Sequence, residues 1–548
     1  MKRRDFLKIL SAVPLLGLTQ SCAMEANKPS KRPNIIYIMT DDQSPIPIEK
    51  ERADQSRPFG FNGDRHVYTP IIDDLAKNGM VFTRAYVSSS VCSPSRYSLL
   101  TGRYAGRCEG PRFMRLHPKG TMTRVENNTE LEENRPNLAR LLQRAGYRTG
   151  FIGKCHIIDH HLLGKDDWDN KGLMSYEKSA DPKDPEITKA MAHNHNFWTK
   201  RIKEFGFDYV NSVYAANLRE LYNDKVNVHN VEWKNKAALE FIDQSGDEPF
   251  FLYYSETVPH GPAPWEKRDG KYIFGLDADP KYTGEGYIDQ EFDFMPERDK
   301  VKAEVQQKGK DPDHALLRWF DHAVGSVIKK LKEKGKLENT LIVVTSDHGN
   351  YNFGKATLYE SGVKVPLLMY WPEGIKSGSV YNELVQNIDH APTFLNLAGV
   401  EIDESMEIDG VSLSKVLKGD KKPVHDHLFF ELGYARGVVT KDLKYIAVRY
   451  DEKTEQKIKK EITFDGWEGR KLEFPYYVRN QHLGYHSGIY NKNYFDKDQL
   501  YDLKNDPDEK YNIYNFNTEK TGEMKKLLAE NLRSFPGRPY GEMTRSSN

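Results

Sequence analysis

Three stretches of the chain, residues 35–39, 250–255 and 341–345, are apolar almost throughout and then turn abruptly polar. A strand half open to water alternates apolar and polar residues. A strand buried on both faces does not, and such strands belong to parallel sheets covered by helices. Helical segments fall where crossovers between parallel strands are needed. In "TPIIDDLAKNGMVF", Thr69 and Pro70 open a helix, Ile71, Ile72 and Leu75 form its apolar side, and Gly79 ends it. "NLARLLQRAGYRTGFIGKCH" repeats the design: Leu138, Leu141, Leu142 and Ala145 share one face, Gly146 caps it, and 147–152 is the next strand. "VKVPLLMYWPEG" supplies one more strand. The alternation predicts an α/β fold with a large, mostly parallel sheet flanked by helices.

The 548 residues leave room for one large α/β domain with an appendage. The strand–helix texture occupies 34–419. Within it, 155–245 and 261–312 are polar and aromatic with weak periodicity, and read as long excursions from the sheet. Trp168, Trp198, Trp233 and Trp265 lie in or beside them and suit either sugar stacking or core packing. Later, "HLFFELGYARGVVTKDLKYIAVRY" alternates apolar and polar residues, as antiparallel strands do, and "EKTGEMKKLLAENLRSF" reads as a helix. Residues 420–548 are therefore predicted to form a smaller C-terminal α+β subdomain, with the tyrosine-rich 476–501 available to cap a pocket.

The start, "MKRRDFLKILSAVPLLGLTQSCA", has the layout of an export signal over 1–23: basic residues, a short apolar stretch broken by Pro14, then small residues. "RRDFLK" resembles a twin-arginine signal. "LTQSCA" resembles a lipoprotein-processing box with Cys22 as the lipidated residue; a plain cleaved signal is the alternative. Residues 24–33 form a polar linker. The expectation is export to the periplasm or the outer-membrane surface of a bacterium, with membrane contact only through an N-terminal lipid anchor. Lys+Arg and Asp+Glu are both 80, so the chain lacks the basic excess of a general nucleic-acid binder. The cysteines Cys22, Cys92, Cys108 and Cys155 have neither disulfide-framework nor zinc-cluster spacing.

Two of the apolar strands end in Asp41-Asp42 and Asp347-His348, and His260 follows a third. In open parallel sheets ligands bind beyond the carboxyl ends of the strands, so these residues are predicted to converge. Carboxylates without a thiolate cluster suit a hard cation, Ca²⁺ or Mg²⁺. "GKCH" adds Lys154 and His156, and "FGKATLYESG" adds Lys355. Lysines and histidines beside a cation make a clamp for a tetrahedral anion and stabilise a transferring sulfuryl or phosphoryl group.

Cys92-Ser93-Pro94-Ser95-Arg96, followed by "LLTGR", resembles the C-x-P-S-R and T-G-R signature of the type I sulfatases in the alkaline phosphatase superfamily. "PNIIYIMTDDQ", "PHGP", "SDHGN", "GKATLYESGVKVPLLMYWP", "IDHAPTFLNLAG" and "LYDLKNDPDE" are similar to that family's blocks in their order, from about Pro33 to Tyr514. The resemblance implies an alkaline phosphatase-like fold and oxidation of Cys92 to Cα-formylglycine by a formylglycine-generating or sulfatase-maturating enzyme. One hydroxyl of the hydrated aldehyde would attack sulfur and the other would later expel sulfate. Asp41, Asp42, modified Cys92, Asp347 and His348 would hold one divalent cation, usually Ca²⁺ in this family, with Mg²⁺ the alternative. Many members have Asn where His348 stands. Asp347 would accept the nucleophile's proton. Arg96 and Lys154 would orient the gem-diol, and His156 would take the second hydroxyl's proton. Lys154, Lys355 and His260 would bind the sulfate, with His260 the general acid. Two departures stand out: Cys155 replaces a frequent aromatic, and Lys364 stands where Arg is common, which puts a structural salt bridge in question.

The resemblance implies hydrolysis of sulfate esters on carbohydrate, with oligosaccharides of an algal-type polysaccharide such as ulvan expected before animal glycosaminoglycans. The alternatives are a phosphonate monoester or phosphodiester hydrolase of the same superfamily, and a non-catalytic anion-binding protein that keeps Cys92 unmodified.

Overall fold

Eight strands form the central sheet of the computed structural model, which describes residues 32–43, 67–159, 168–349, 354–461 and 491–544. Across the sheet they run Ser379–Tyr381, Met80–Phe82, Leu367–Tyr370, Thr340–Ser346, Asn34–Thr40, Phe250–Ser255, Arg148–Lys154 and Tyr209–Tyr214. The last five are mutually parallel; Ile36, for example, pairs with Ile342 on one side and Leu252 on the other. The export signal, Cys22, most of the linker and residues 476–490 lie outside the described residues.

The α/β expectation holds, with two corrections. Leu367–Tyr370 runs antiparallel to both neighbours. Between Thr340–Ser346 and this strand the described residues form only the single helical turn Glu360–Val363. No crossover carries the chain back, so it returns antiparallel. Residues 155–245 are also not an excursion. They contain the edge strand Tyr209–Tyr214 and the helices Pro185–Lys203 and Val231–Asp243. The strand was hidden because an edge strand tolerates polar residues, here Asn211 and Ser212. Trp168, Trp198 and Trp233 are buried, and Trp265 is half-buried against the core.

Alternate residues of each central strand feed two cores. Ile35, Tyr37 and Met39 pack toward the helices Cys92–Thr101, Leu138–Arg144 and His390–Leu397. Ile36 and Ile38 pack toward Pro70–Asn78, Val231–Asp243 and Ala315–Glu333. The start of Pro70–Asn78 shows how the layers lock. Thr69 makes no side-chain cap; Asp321 of the neighbouring helix instead accepts from Ile71 N (3.2 Å) and Ile72 N (2.8 Å). Near the C-terminus, Leu428–Leu432, Ala435–Val439, Leu443–Val448 and Asp498–Asp502 form an antiparallel four-stranded sheet. Met524, Leu528 and Leu532 of the helix Thr518–Arg533 cover it.

One glycine sets the site directly. Gly153 has φ +88°, and an added Cβ would lie 1.8 Å from the carbonyl oxygen of Ser255. The register with Tyr209–Tyr214 shifts between Ile152 and Gly153, so this bulge re-aims the next side chain, Lys154. Gly153→Ala is expected to destabilise the protein by roughly 3 kcal/mol, from a forbidden backbone angle plus a backbone clash. Denaturant unfolding checks this; an unchanged midpoint would show that the bulge can relax.

Candidate active site

Parallel strands end at one edge of the sheet, and four of them deliver polar residues there. Asn34–Thr40 leads into Asp41 and Asp42, Thr340–Ser346 into Asp347 and His348, and Arg148–Lys154 ends in Lys154 with His156 just beyond. The loop after Phe250–Ser255 carries His260. Opposite them lies the helix Cys92–Thr101, in which every residue is buried. Cys92 occupies its first turn, where the helix dipole favours negative charge. Arg96 stands one turn later on the same face. Gly102 ends the helix in the left-handed conformation, Thr101 bonds back to the Tyr97 carbonyl at 2.8 Å, and Arg103 reaches Glu132. The T-G-R part of the motif is thus a helix stop and an anchor.

Cys92 Sγ is the meeting point. His348 Nε2 lies 3.3 Å away, Lys154 Nζ 3.4 Å, and Lys355 Nζ and Asp41 Oδ1 both 3.7 Å. His156 hydrogen-bonds the same sulfur. Burial alone would push the thiol up, but Lys154, Lys355 and His348 outweigh it and hold it well below the ordinary thiol range. Burial keeps His156 neutral, with a pKa lowered to about 3.

Arg96 is wholly buried between two carboxylates. Its Nη2 is 3.1 Å from Asp41 Oδ2 and 2.9 Å from Asp347 Oδ2, and its Nε donates to Asp347 at 3.1 Å. Lys154 also pairs with Asp41, and Lys355 with Asp42 Oδ1 at 2.6 Å. Burial, then the neighbouring Asp41, raises the Asp347 carboxyl to about 6. His260 is half-buried at the rim, with Nε2 3.9 Å from Asp42 Oδ2 and Nδ1 on the Gly261 carbonyl at 2.7 Å.

The donor set fits a divalent cation. The groups Asp41, Cys92, Asp347, His348 and Asp41, Asp42, Cys92, His260 each bring their ligand atoms within 4.8 Å of one another. Asp42 Oδ2 is buried without a hydrogen-bond partner among the described residues. His348 Nδ1 faces the Gly349 carbonyl at 3.0 Å, leaving Nε2 toward Asp42 Oδ1 (3.4 Å) and Asp347 Oδ2 (3.6 Å). Acceptors gathered around that nitrogen call for positive charge. Burial lowers the His348 pKa, yet Asp347 and Cys92 lift it to about 9.

All ten residues singled out in the sequence therefore lie around one centre, with His260 at its rim. Sequence reading missed Asn217, whose Oδ1 accepts from Lys154 Nζ at 2.8 Å, and Ser255, which accepts from Arg96. No motif marks either residue; Asn217 follows the edge strand that was itself unread. Lys364 pairs only loosely with Glu360 at 3.8 Å, whereas Lys444 of the C-terminal sheet holds Glu360 at 2.7 Å. The position where the sequence lacks Arg is thus served from another element.

Removing Arg96 leaves two buried carboxylates facing each other. Arg96→Ala is expected to destabilise the metal-free protein by about 3–5 kcal/mol. Denaturant midpoints measured in chelator check this; a loss below about 1 kcal/mol would show the pair to be as weak as a surface bridge.

The family model described as Sulfatase matches residues 33–164 and 186–400. A second, described as N-sulphoglucosamine sulphohydrolase, C-terminal, matches 347–458. The N-acetylglucosamine-6-O-sulfatase of Bacteroides thetaiotaomicron is 26% identical over 95% of this chain and 90% of that protein. The N-acetylgalactosamine-6-sulfatase of Mus musculus is 27% identical over 76% of this chain and 70% of that protein. Two solved structures share the fold at 20% identity. One, from work on glycosaminoglycan metabolism by Bacteroides thetaiotaomicron, has a TM-score of 0.60 and covers 92% of this chain and 100% of its own. The other, solved with its substrate D-glucosamine-2-N,6-O-disulfate, has a TM-score of 0.57 and covers 93% and 100%. The chain belongs to the sulfatase family and is a sulfuric ester hydrolase.

Proposed function

We propose that this enzyme removes sulfate from a carbohydrate, with Cys92 as precursor of the nucleophile. The observation that carries the reading is the convergence of Lys154, Lys355 and His348 on Cys92 Sγ at a helix N-terminus. A buried position so surrounded by cations is built for an anion. Oxidised to formylglycine and hydrated, Cys92 supplies an oxygen nucleophile in that field. Because the whole helix Cys92–Thr101 is buried, the modifying enzyme must read the motif before the chain folds.

Asp41, Asp42, Asp347 and His348, with modified Cys92, would hold one divalent cation, Ca²⁺ ahead of Mg²⁺ given a mostly carboxylate donor set. When bound, it would neutralise the sulfate oxygens and acidify the nucleophile's hydroxyl. Asp347 accepts the nucleophile's proton, while Arg96 fixes Asp347 and Asp41. Lys154 and Lys355 take the sulfate oxygens. His156, neutral and facing the Cys92 side chain, takes up a proton from it as sulfate departs. His260, at the rim with Nδ1 on the Gly261 carbonyl, presents Nε2 to protonate the leaving sugar oxygen.

For the substrate, the names of the relatives favour the 6-sulfate of an N-acetylhexosamine over the ulvan oligosaccharides expected first from the sequence. The twin-arginine-like start supports export to the periplasm or cell surface of a bacterium.

Two outcomes are expected. Protein from its native host should release sulfate from N-acetylglucosamine 6-sulfate, and its Cys92 peptide should be lighter by about 18 mass units than the thiol form. Cys92→Ala should release none. A thiol-only peptide, or turnover of phosphodiesters alone, would overturn the reading. Second, His260→Ala should slow the sugar sulfate by ~10²–10⁴-fold and nitrophenyl sulfate far less, because that leaving group needs no proton. Equal losses on both substrates would remove His260 from the general-acid role.

A further inference from the structure

Behind the loop that carries His260 lies a buried polar cluster that the reaction as described does not use. Lys234 and Glu256, both fully buried, pair at 2.9 Å, and Lys234 Nζ also donates to Thr257 Oγ1 at 2.9 Å. His229, equally buried, faces the same hydroxyl through Nδ1 at 2.9 Å and the Pro262 carbonyl through Nε2 at 2.8 Å. Tyr254 Oη and the Thr257 N–H complete the Glu256 carboxylate at 2.9 and 3.0 Å.

These partners leave one arrangement of protons. An ammonium group only donates and a carbonyl only accepts. Thr257 therefore accepts from Lys234 and gives its own proton to His229 Nδ1, and the ring carries its proton on Nε2, toward Pro262. Burial, with Lys234 nearby, keeps the ring neutral, its pKa lowered to about 3. His229 lies just before the helix Val231–Asp243 and Lys234 lies in its first turn; His229 N donates to the Phe274 carbonyl at 2.8 Å. His229 thus spans the loop 257–262 from one end to the other, with His260 inside the span. The near end is also tied to the central strand: Glu256 N donates to the Met39 carbonyl at 2.7 Å, and Asp41 N to the Val258 carbonyl at 3.1 Å. At the tip a Cβ on Gly261 would meet no atom within 4 Å. The bond from His229 is what returns the far end of the loop to the helix.

We propose that His229, oriented by Thr257, is a positioning residue that closes the loop 257–262 and thereby holds His260 Nε2 toward the leaving oxygen. The proposal rests on the reading of His260 as general acid above. A proton donor displaced by ~1 Å loses on the order of 10²-fold in rate. That loss falls only on leaving groups that need a proton, which separates positioning from a merely structural role.

The test uses full-length, matured enzyme, with N-acetylglucosamine 6-sulfate and nitrophenyl sulfate as substrates and free sulfate as readout. His229→Phe should lower kcat on the sugar sulfate at least ~10-fold with KM little changed, and turnover of nitrophenyl sulfate less than ~3-fold. His229→Gln should recover most of the loss, because its amide supplies an N–H for Pro262 and an oxygen for Thr257. Thr257→Val, which keeps the shape and the Lys234–Glu256 pair, should lose at least ~3-fold on the sugar sulfate alone; it carries the same comparison where His229→Phe does not fold. In a His260→Ala background neither substitution should slow the sugar sulfate further, since both act through the missing imidazole. Equal losses on the two substrates in the His229 and Thr257 variants, or full additivity with His260→Ala, would overturn the positioning role and leave His260 as general acid. A His260→Ala enzyme that slows both substrates alike, or a wild type that frees no sulfate from the sugar, would overturn the reading beneath it, and this proposal with it.

Discussion

The guanidinium of Arg96 makes the rest of the site possible. Asp41 and Asp347 extend from neighbouring strands whose register pairs Thr40 with Ser346, so the sheet itself forces the two carboxylates together. Buried and unpaired they would be intolerable. Arg96 reaches both from the helix opposite, bonds the Lys154 carbonyl and Ser255 as well, and so ties four strand ends to the helix that bears Cys92. A lysine could not do this: a point charge cannot present several donors in fixed directions.

Around that pin, each cation is matched to its own carboxylate. Lys154 shares Asp41 and Lys355 holds Asp42, and both still face the Cys92 sulfur. The lysines are therefore held by the same carboxylates that would bind a metal. Lys154 is aimed by the Gly153 bulge. Lys355 precedes the turn Glu360–Val363, whose Glu360 is gripped by Lys444 while its backbone N–H donates to Glu509 at 2.6 Å. The C-terminal sheet thus helps fix the clamp through buried charge rather than by supplying a residue to it. Preorganised charge of this kind does not have to rotate into place during the reaction.

The sequence disclosed the centre because strong periodicity and charge coincide there. Strands buried on both faces cannot be mistaken for surface, and polar residues directly after them have one place to go. Asp41, Asp347 and Lys154 were readable for that reason. Legibility failed where burial is one-sided. Tyr209–Tyr214 lies at the sheet edge, and the buried face of the helix Pro185–Lys203 includes the polar Asn194 and His195 beside Met191 and Trp198, so neither shows a clean apolar period. Pairing direction was also invisible at Leu367–Tyr370, since an apolar run looks the same in either orientation.

These two levels of legibility follow a division of chemistry. Sulfate is the same monoanionic ester end in every substrate, so its clamp can be built from strand ends and short motifs. Other residues near the centre come from the weakly periodic stretch containing Trp168, Trp198, Asn217 and Glu220. That stretch packs its aromatics against the edge strand, where one side of the sheet is left unpaired and the chain can vary without disturbing the central register. Lys154 belongs to both regions. It is fixed by Asp41 on one side and by Asn217 on the other, so the weakly periodic stretch bears directly on the ammonium group beside Cys92.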